Sequence, residues 1–231
     1  MGDILGRALM DQYLGDDPGK LWIHNRYGRK ERMPLKIYFR EEKKMPTLEL
    51  LALARCKGKV LDVGAGAGSH ALVLKDRGYD VTALDISPGA CKLMKMRQVK
   101  KVERADIFQY AGERYQTILL LMNGIGLTGT LDNFSLLLKT FKTLLVDGGQ
   151  LIFDSSDVSY LYEDPMPVMQ HYYGEIDYRY EYKNELTKWF KWLYIDRSTM
   201  QKIARLNGYK TRILFEDEYG QYLTRLTLAK A

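Results

Sequence analysis

Hydrophobic spacing along the chain divides it into three zones. Between residues 58 and 156, short runs of strand length alternate with amphipathic stretches. The runs are Lys59–Val63, Asp80–Leu84, a weaker Val102–Ala105, Gln116–Met122 and Gln150–Asp154. Between them, Ser69–Arg77, Ser87–Val99 and Leu131–Leu145 have helical periodicity. Gly78 ends the first helix, Pro88 occupies the first turn of the second, and Asp147-Gly148-Gly149 follows the third. Strands joined by helices of this length require crossovers. They therefore predict a parallel sheet covered on both faces.

The flanking zones differ. Before residue 58, Pro18, Pro34 and Pro46 interrupt any helix, and TLELLALAR (residues 47–55) is helical with Thr47 as its expected N-cap. After residue 156, the pattern between His171 and Tyr182 suits a strand, and Arg197–Leu206 a helix stopped by Asn207-Gly208. Tyr209–Phe215 and Gln221–Leu228 then form a hairpin around Tyr219-Gly220, which adds an antiparallel edge to the sheet.

Composition refines this picture. Of 231 residues, 46% are hydrophobic and 28% charged, ordinary values for a globular chain with a sizeable core. Cys56 and Cys91 are too few for a disulfide scaffold or a cysteine-built zinc site. His24, His70 and His171 have no metal-ligand spacing, so no metal is expected. MGDILGRALM lacks a signal-peptide pattern, and Gly6 stands where a myristoylation motif wants Ser or Thr. No apolar run has membrane-spanning length, so a cytoplasmic location and no membrane partner are expected.

The net charge of +6 is local. Residues 20–44 hold nine basic and three acidic residues, among them Arg26, Arg29, Arg32 and Arg40. A basic segment with Trp22, Tyr27, Tyr38 and Phe39 admits nucleic acid as a partner, an acidic small molecule, or a plain solvated face.

The sharpest chemical signal is VLDVGAGAGSHAL, residues 60–72. An apolar strand runs into Asp62, Gly64, Gly66 and Gly68 alternate, and a helix begins. Glycines allow a tight reversal and close approach of a ligand to the backbone, and the helix N-terminus offers free N–H groups. Ser69 replaces the last glycine of the dinucleotide fingerprint, which leaves a nicotinamide enzyme as a weaker alternative.

This D-x-G-x-G-x-G pattern after an apolar strand resembles the first motif of class I S-adenosylmethionine-dependent methyltransferases. The resemblance covers residues about 58–155. It implies a Rossmann-like, doubly wound α/β fold, with a mostly parallel seven-stranded sheet and an antiparallel C-terminal edge strand. An N-terminal helical lid (residues 1–57) and a β-rich insert after the fifth strand (about 157–195) would flank the cofactor domain of residues 58–231. S-adenosylmethionine is the implied cofactor, with Gly64, Ala65, Gly66 and Gly68 against it and Asp62 either fixing the glycine loop through backbone N–H groups or approaching the cofactor's ammonium. Asp85, 21 residues after Gly64, would accept the ribose hydroxyls, with Ile86 against the adenine face. Asp106 and Ile107 would hold the adenine edge, and Asn123 would face both cofactor and substrate.

The resemblance leaves the acceptor open. Asn123 lacks the Pro-Pro-aromatic signature of base amino-group methyltransferases, and no Pro-Cys pair serves cytosine C5. A small-molecule acceptor, methylated by in-line displacement, is the first expectation. RNA or protein methylation through segment 20–44 is the second, and a non-catalytic cofactor-binding module the third. Residues 157–195 hold 8 of the 17 tyrosines. Tyr13, Trp22, Tyr27, Tyr160, Tyr172 and Tyr173 are the candidate pocket aromatics. His24, Tyr27 and His171 are weak candidates for a catalytic base, Asp154 and Asp157 for binding a cationic substrate, and His70 for a packed first-turn residue. The oligomeric state has no signal in the sequence.

Overall fold

The computed structural model describes residues 2–15, 19–162 and 170–229. Pro18 and residues 163–169 of the expected insert lie outside the described residues. The elements run in the order α1 (Ile4–Leu14), β1 (Leu21–His24), β2 (Glu31–Met33), α2 (Thr47–Ala54), β3 (Val60–Val63), α3 (Ser69–Asp76), β4 (Val81–Asp85), α4 (Pro88–Met96) and β5 (Lys101–Arg104). Then come β6 (Tyr115–Leu120), α5 (Leu131–Leu144), β7 (Leu145–Ser156), β8 (Glu175–Tyr182), β9 (Glu185–Leu186), β10 (Phe190–Leu193), α6 (Arg197–Leu206), β11 (Tyr209–Glu216) and β12 (Gln221–Leu228).

The main sheet has seven strands in the order β11-β12-β7-β6-β3-β4-β5. The pairs from β7 across to β5 are parallel. The C-terminal hairpin supplies the antiparallel side, with β12 against β7 and β11 outside it on the rim. All four residues of β3 are buried, as a central parallel strand requires. One apolar cluster, built on Phe134, Leu138, Phe141, Met200 and Ala204, covers one face. A second, with Leu53, Ala71, Leu74 and Met94, covers the other. Helices on both faces make the doubly wound arrangement.

Local chemistry sets most boundaries. Ser87 caps α4 by accepting a bond from the Ala90 N–H at 2.9 Å, with Pro88 just inside the helix. α2 departs from expectation: Pro46, not Thr47, is the N-cap residue, and no side chain caps that end. β7 starts earlier than Gln150. Its pairing with β6 shifts register between Tyr115 and Thr117, and Gly148 takes up the irregularity at φ 70.

The flanks hold the main surprise. The N-terminal zone contains helices, but residues 21–24 and 31–33 are strands rather than part of a helical lid. β1 pairs with β8 of the insert, and the two zones form one antiparallel sheet in the order β10-β8-β1-β2, with β9 attached to β8. Pro34 favours extended backbone at Met33, and β8 alternates charged with apolar or aromatic side chains. Among the described residues, no helix is long and apolar enough to cross a membrane.

Candidate active site

A cavity of about 540 Å³ lies between the carboxyl ends of the main-sheet strands and the second sheet. That edge is where open α/β sheets place ligands. The glycine loop forms its floor. Gly64, Gly66 and Gly68 all have positive φ, a conformation in which other side chains are strained. At Gly68 a Cβ would also stand 2.8 Å from Val99 Cγ2, so glycine is needed for packing as well. The loop is pinned by its own backbone, with Gly64 and Ala65 N–H both donating to the Leu84 carbonyl. A turn at residues 35–39 clamps it from outside, where the Ser69 hydroxyl donates to the Tyr38 carbonyl at 2.7 Å.

The acidic strand ends line the same space. Asp85 accepts the Gly66 N–H at 2.8 Å through one oxygen and the Ser87 N–H at 2.9 Å through the other. Each carboxylate oxygen keeps a further lone pair for a ligand. Ile86, next along, is 65% exposed at the cavity wall, an unpartnered apolar surface at a strand end. Asp106 accepts the Phe108 N–H at 3.0 Å, and Ile107 is buried beside it. Asp3 closes this end. It caps α1 through the Gly6 N–H and also accepts from the Ser87 hydroxyl and the Gly89 N–H.

Asp62 and Asn123 stand at the centre. Asp62 is buried, and its Oδ2 has no hydrogen-bond partner. Burial pushes its carboxyl up to about 6, against the pull of His70 and with the push of Asp85. Met122 and Asn123 are both left-handed, at φ 60 and 53. Strain of this kind persists only where surroundings enforce it. Here the Asn123 N–H donates to Asp154 Oδ2 at 3.0 Å and its side-chain amide to the Leu193 carbonyl at 3.2 Å. Asn123 Oδ1 is buried without a partner. Asp154 lies behind it, its carboxyl also raised by burial to about 6.

His70 is more than a packed first-turn residue. It lines the cavity and shares a 3.0 Å hydrogen bond with Glu49, which in turn pairs with Arg40. Burial alone lowers the imidazole pKa. The bond to Glu49 and the nearby charges of Asp62 and Asp154 outweigh it and leave the pKa raised.

The aromatic wall is not the expected one. Tyr38, Tyr178, Tyr180, Trp192 and Tyr194 line the cavity, with Ile23 and Met33. Tyr13, Trp22, Tyr27, Tyr160, Tyr172, Tyr173, His24 and His171 do not. Strand register decides this. Ile23 stands opposite Tyr180, which puts both on the cavity face. Trp22 and His24 stand opposite Glu181 and Arg179, on the outer face. There His24 bonds Glu181 at 2.6 Å and the Lys30 ammonium sits over the Trp22 ring.

The remaining expected residues are engaged elsewhere. Tyr13 stacks near Phe39 and is 42% exposed, Tyr27 meets Tyr162 edge-on, and Tyr160 is exposed. Tyr172 bonds Asp196, Tyr173 bonds Asp157, and His171 is exposed. The basic segment also faces away. Arg26 pairs with Asp177 and Lys30 with Glu181, Arg29 and Arg32 are exposed, and none of its Lys or Arg residues lines the cavity. One signal for the true wall was visible. In EIDYRYEY the tyrosines alternate with charges, which places Tyr178 and Tyr180 on one strand face.

The unpartnered Asp62 and Asn123 oxygens, the exposed Ile86 and the cavity volume all fit a nucleoside-bearing cofactor with an ammonium group. A doubly wound sheet with such a loop at its carboxyl edge defines a nucleoside-cofactor enzyme of the Rossmann-like class. A family model described as a methyltransferase domain matches residues 36–217. A solved S-adenosylmethionine-dependent methyltransferase from Bacteroides fragilis, in complex with S-adenosyl-L-homocysteine, is 41% identical. It matches over 99% of this chain and 95% of its own, with a TM-score of 0.92. The chain belongs to the S-adenosylmethionine-dependent methyltransferases. An amino pentose methyltransferase from Micromonospora echinaspora shares the fold, at 13% identity and TM-score 0.60 over 87% of this chain and all of that one.

Proposed function

We propose that this enzyme methylates a small molecule enclosed between the glycine loop and the second sheet. One observation carries the reading: a single cavity is lined both by the glycine loop with its acidic strand ends and by the aromatic residues of the second sheet. S-adenosylmethionine supplies a sulfonium-activated methyl group when bound. Asp85 accepts the ribose hydroxyls, and Ile86 lies against the adenine. Asp106 and the Ile107 N–H hold the adenine edge. Asp62 and Asn123 accept from the methionine ammonium, and Gly64, Ala65, Gly66 and Gly68 admit the cofactor close to the backbone. Residues 1–57 and the insert at about 157–195 act as one cap on the domain of residues 58–231. The cap excludes water and holds the acceptor in line with the methyl group.

The basic segment gives no support to RNA or protein as acceptor. Arg26 and Lys30 meet carboxylates of the insert on the outer face, and Arg40 is taken up by Glu49.

Calorimetric titration with S-adenosylmethionine tests the cofactor roles. Asp85→Asn is expected to bind the cofactor at least about tenfold more weakly, the scale of a charge-assisted hydrogen bond lost. Undiminished binding would overturn the assignment.

A further inference from the structure

The cavity has the opposite charge to the chain. Asp3, Asp62, Asp85 and Asp106 line it, while no Lys or Arg does among the described residues. Among the described residues His70 is its one basic lining side chain, and Glu49 already answers it. The chain as a whole carries +6. Beside the cofactor groups lie the rings of Tyr38, Tyr178, Tyr180, Trp192 and Tyr194.

We propose that the methyl acceptor is an amine, drawn in as a cation, held among these rings and methylated on nitrogen. The proposal rests on the methyltransferase reading of the same cavity and names its substrate class.

An acidic, low-dielectric cleft concentrates cations and repels anions. A phosphate- or carboxylate-bearing acceptor would find no Arg or Lys among the described cavity residues to neutralise it, beside carboxylates engaged with the cofactor. Aromatic faces attract ammonium groups, most strongly where water is excluded.

The wall is also held in place. The Trp192 indole sits directly on Gly126, where a Cβ would come 1.9 Å from its Nε1. The Tyr178 hydroxyl meets that of Tyr194 at 3.5 Å. Burial raises the pKa of Tyr178, Tyr180 and Tyr194, and pushes Tyr38 up to about 12. Phenols held protonated do not take a proton from an alcohol acceptor. An ammonium acceptor instead loses one proton to solvent before the cap closes over it, which frees the nitrogen lone pair without a phenolate base. Its nitrogen lone pair then forms the N–CH3 bond as the S–CH3 bond breaks. The S–C electron pair stays on sulfur, and the methylated ammonium carries the positive charge.

Three probes on one carbon skeleton test this with wild-type enzyme saturated in S-adenosyl-L-homocysteine. They are choline (cationic), 3,3-dimethylbutan-1-ol (neutral) and 3,3-dimethylbutanoate (anionic). Choline is expected to bind about tenfold tighter than the alcohol, with the butanoate weakest. That preference should shrink in Tyr180→Leu and Trp192→Leu, with S-adenosyl-L-homocysteine affinity within about twofold of wild type. Equal binding of choline and the alcohol, tighter butanoate, or binding by none of the three overturns the proposal. The wild-type ranking decides even where a variant does not fold. Failure of the wild-type enzyme to bind S-adenosyl-L-homocysteine strikes the cofactor reading instead.

Discussion

The two walls of the cavity are built by different means. On the main-sheet side, backbone does most of the work. Positive-φ glycines, N–H groups and the polar strand-end residues Asp62, Asp85, Asp106 and Asn123 come from the ends of β3, β4, β5 and β6. On the opposite side, the wall is made of side chains. Ile23, Met33, Tyr178, Tyr180 and Trp192 come from four strands, and they converge only because β1 and β8 pair in one register. The first wall suits a cofactor whose shape is constant. Under the proposed function the second would hold the acceptor, since substitution of a ring changes the pocket without disturbing the loop. It follows that mutations in the cap should alter transfer more than cofactor binding, and mutations by the loop should do the reverse.

The largest separation is expected at Gly126. An alanine there pushes the Trp192 indole from its seat, because the new Cβ would overlap it. Methyl transfer should fall by about a hundredfold, the scale of a misplaced reactant. Binding of S-adenosyl-L-homocysteine, read by calorimetry, should stay near wild type. An equal loss in both would break the division between the walls.

Asp62→Asn examines the other side. Burial raises this carboxyl to about 6, so the folded protein holds the proton more tightly than the unfolded chain. The stability this gives is present at low pH and is lost as pH rises through about 6. The ionised form is the better acceptor for an ammonium, so cofactor affinity should rise with pH through about 6 and then level off. Asn removes both effects. The cofactor-free variant should melt a few degrees above wild type at about pH 8, with the gap closing near about pH 4. Its cofactor affinity should fall about tenfold and lose the pH dependence. Scanning calorimetry and titration across pH would read both.

The smallest effect is expected at His24. It bonds Glu181 on the outer face of the second sheet, among charges that Lys30 shares. His24→Gln should change kcat/KM by less than about twofold, because the partly buried pair lies outside the cavity. A large loss would move His24 into the catalytic machinery and sink the register argument.

The contrast between the walls also explains what was legible beforehand. The Asp62-to-Gly68 loop could be recognised because its function depends on residue types at fixed local spacing. Asp85, Ile86, Asp106, Ile107 and Asn123 line the cavity, as expected of residues at or within three positions of strand ends. The cap aromatics could not be placed in this way. Trp22 and Ile23 are neighbours in the chain and face opposite ways, and only the partner strand says which faces the cavity. Tyr172 and Tyr173 were equally good aromatics by type, yet Asp196 and Asp157 hold their hydroxyls elsewhere. The basic segment misled for the same reason, since the acidic partners of Arg26 and Lys30 lie about 150 residues away in Asp177 and Glu181.

By itself, then, the amino-acid sequence determined the alternation of strands and helices, the glycine loop, and the acidic strand ends that identify a methyltransferase. These are encoded by propensity, periodicity and local spacing, which act over a few residues. Tertiary structure alone decided that the N-terminal zone and the insert form one sheet, which of their aromatics face inward, and that the cavity is acidic within a basic chain. Those outcomes depend on pairing between segments far apart in sequence, and a shift of one residue in that pairing would have turned every side chain to the other face.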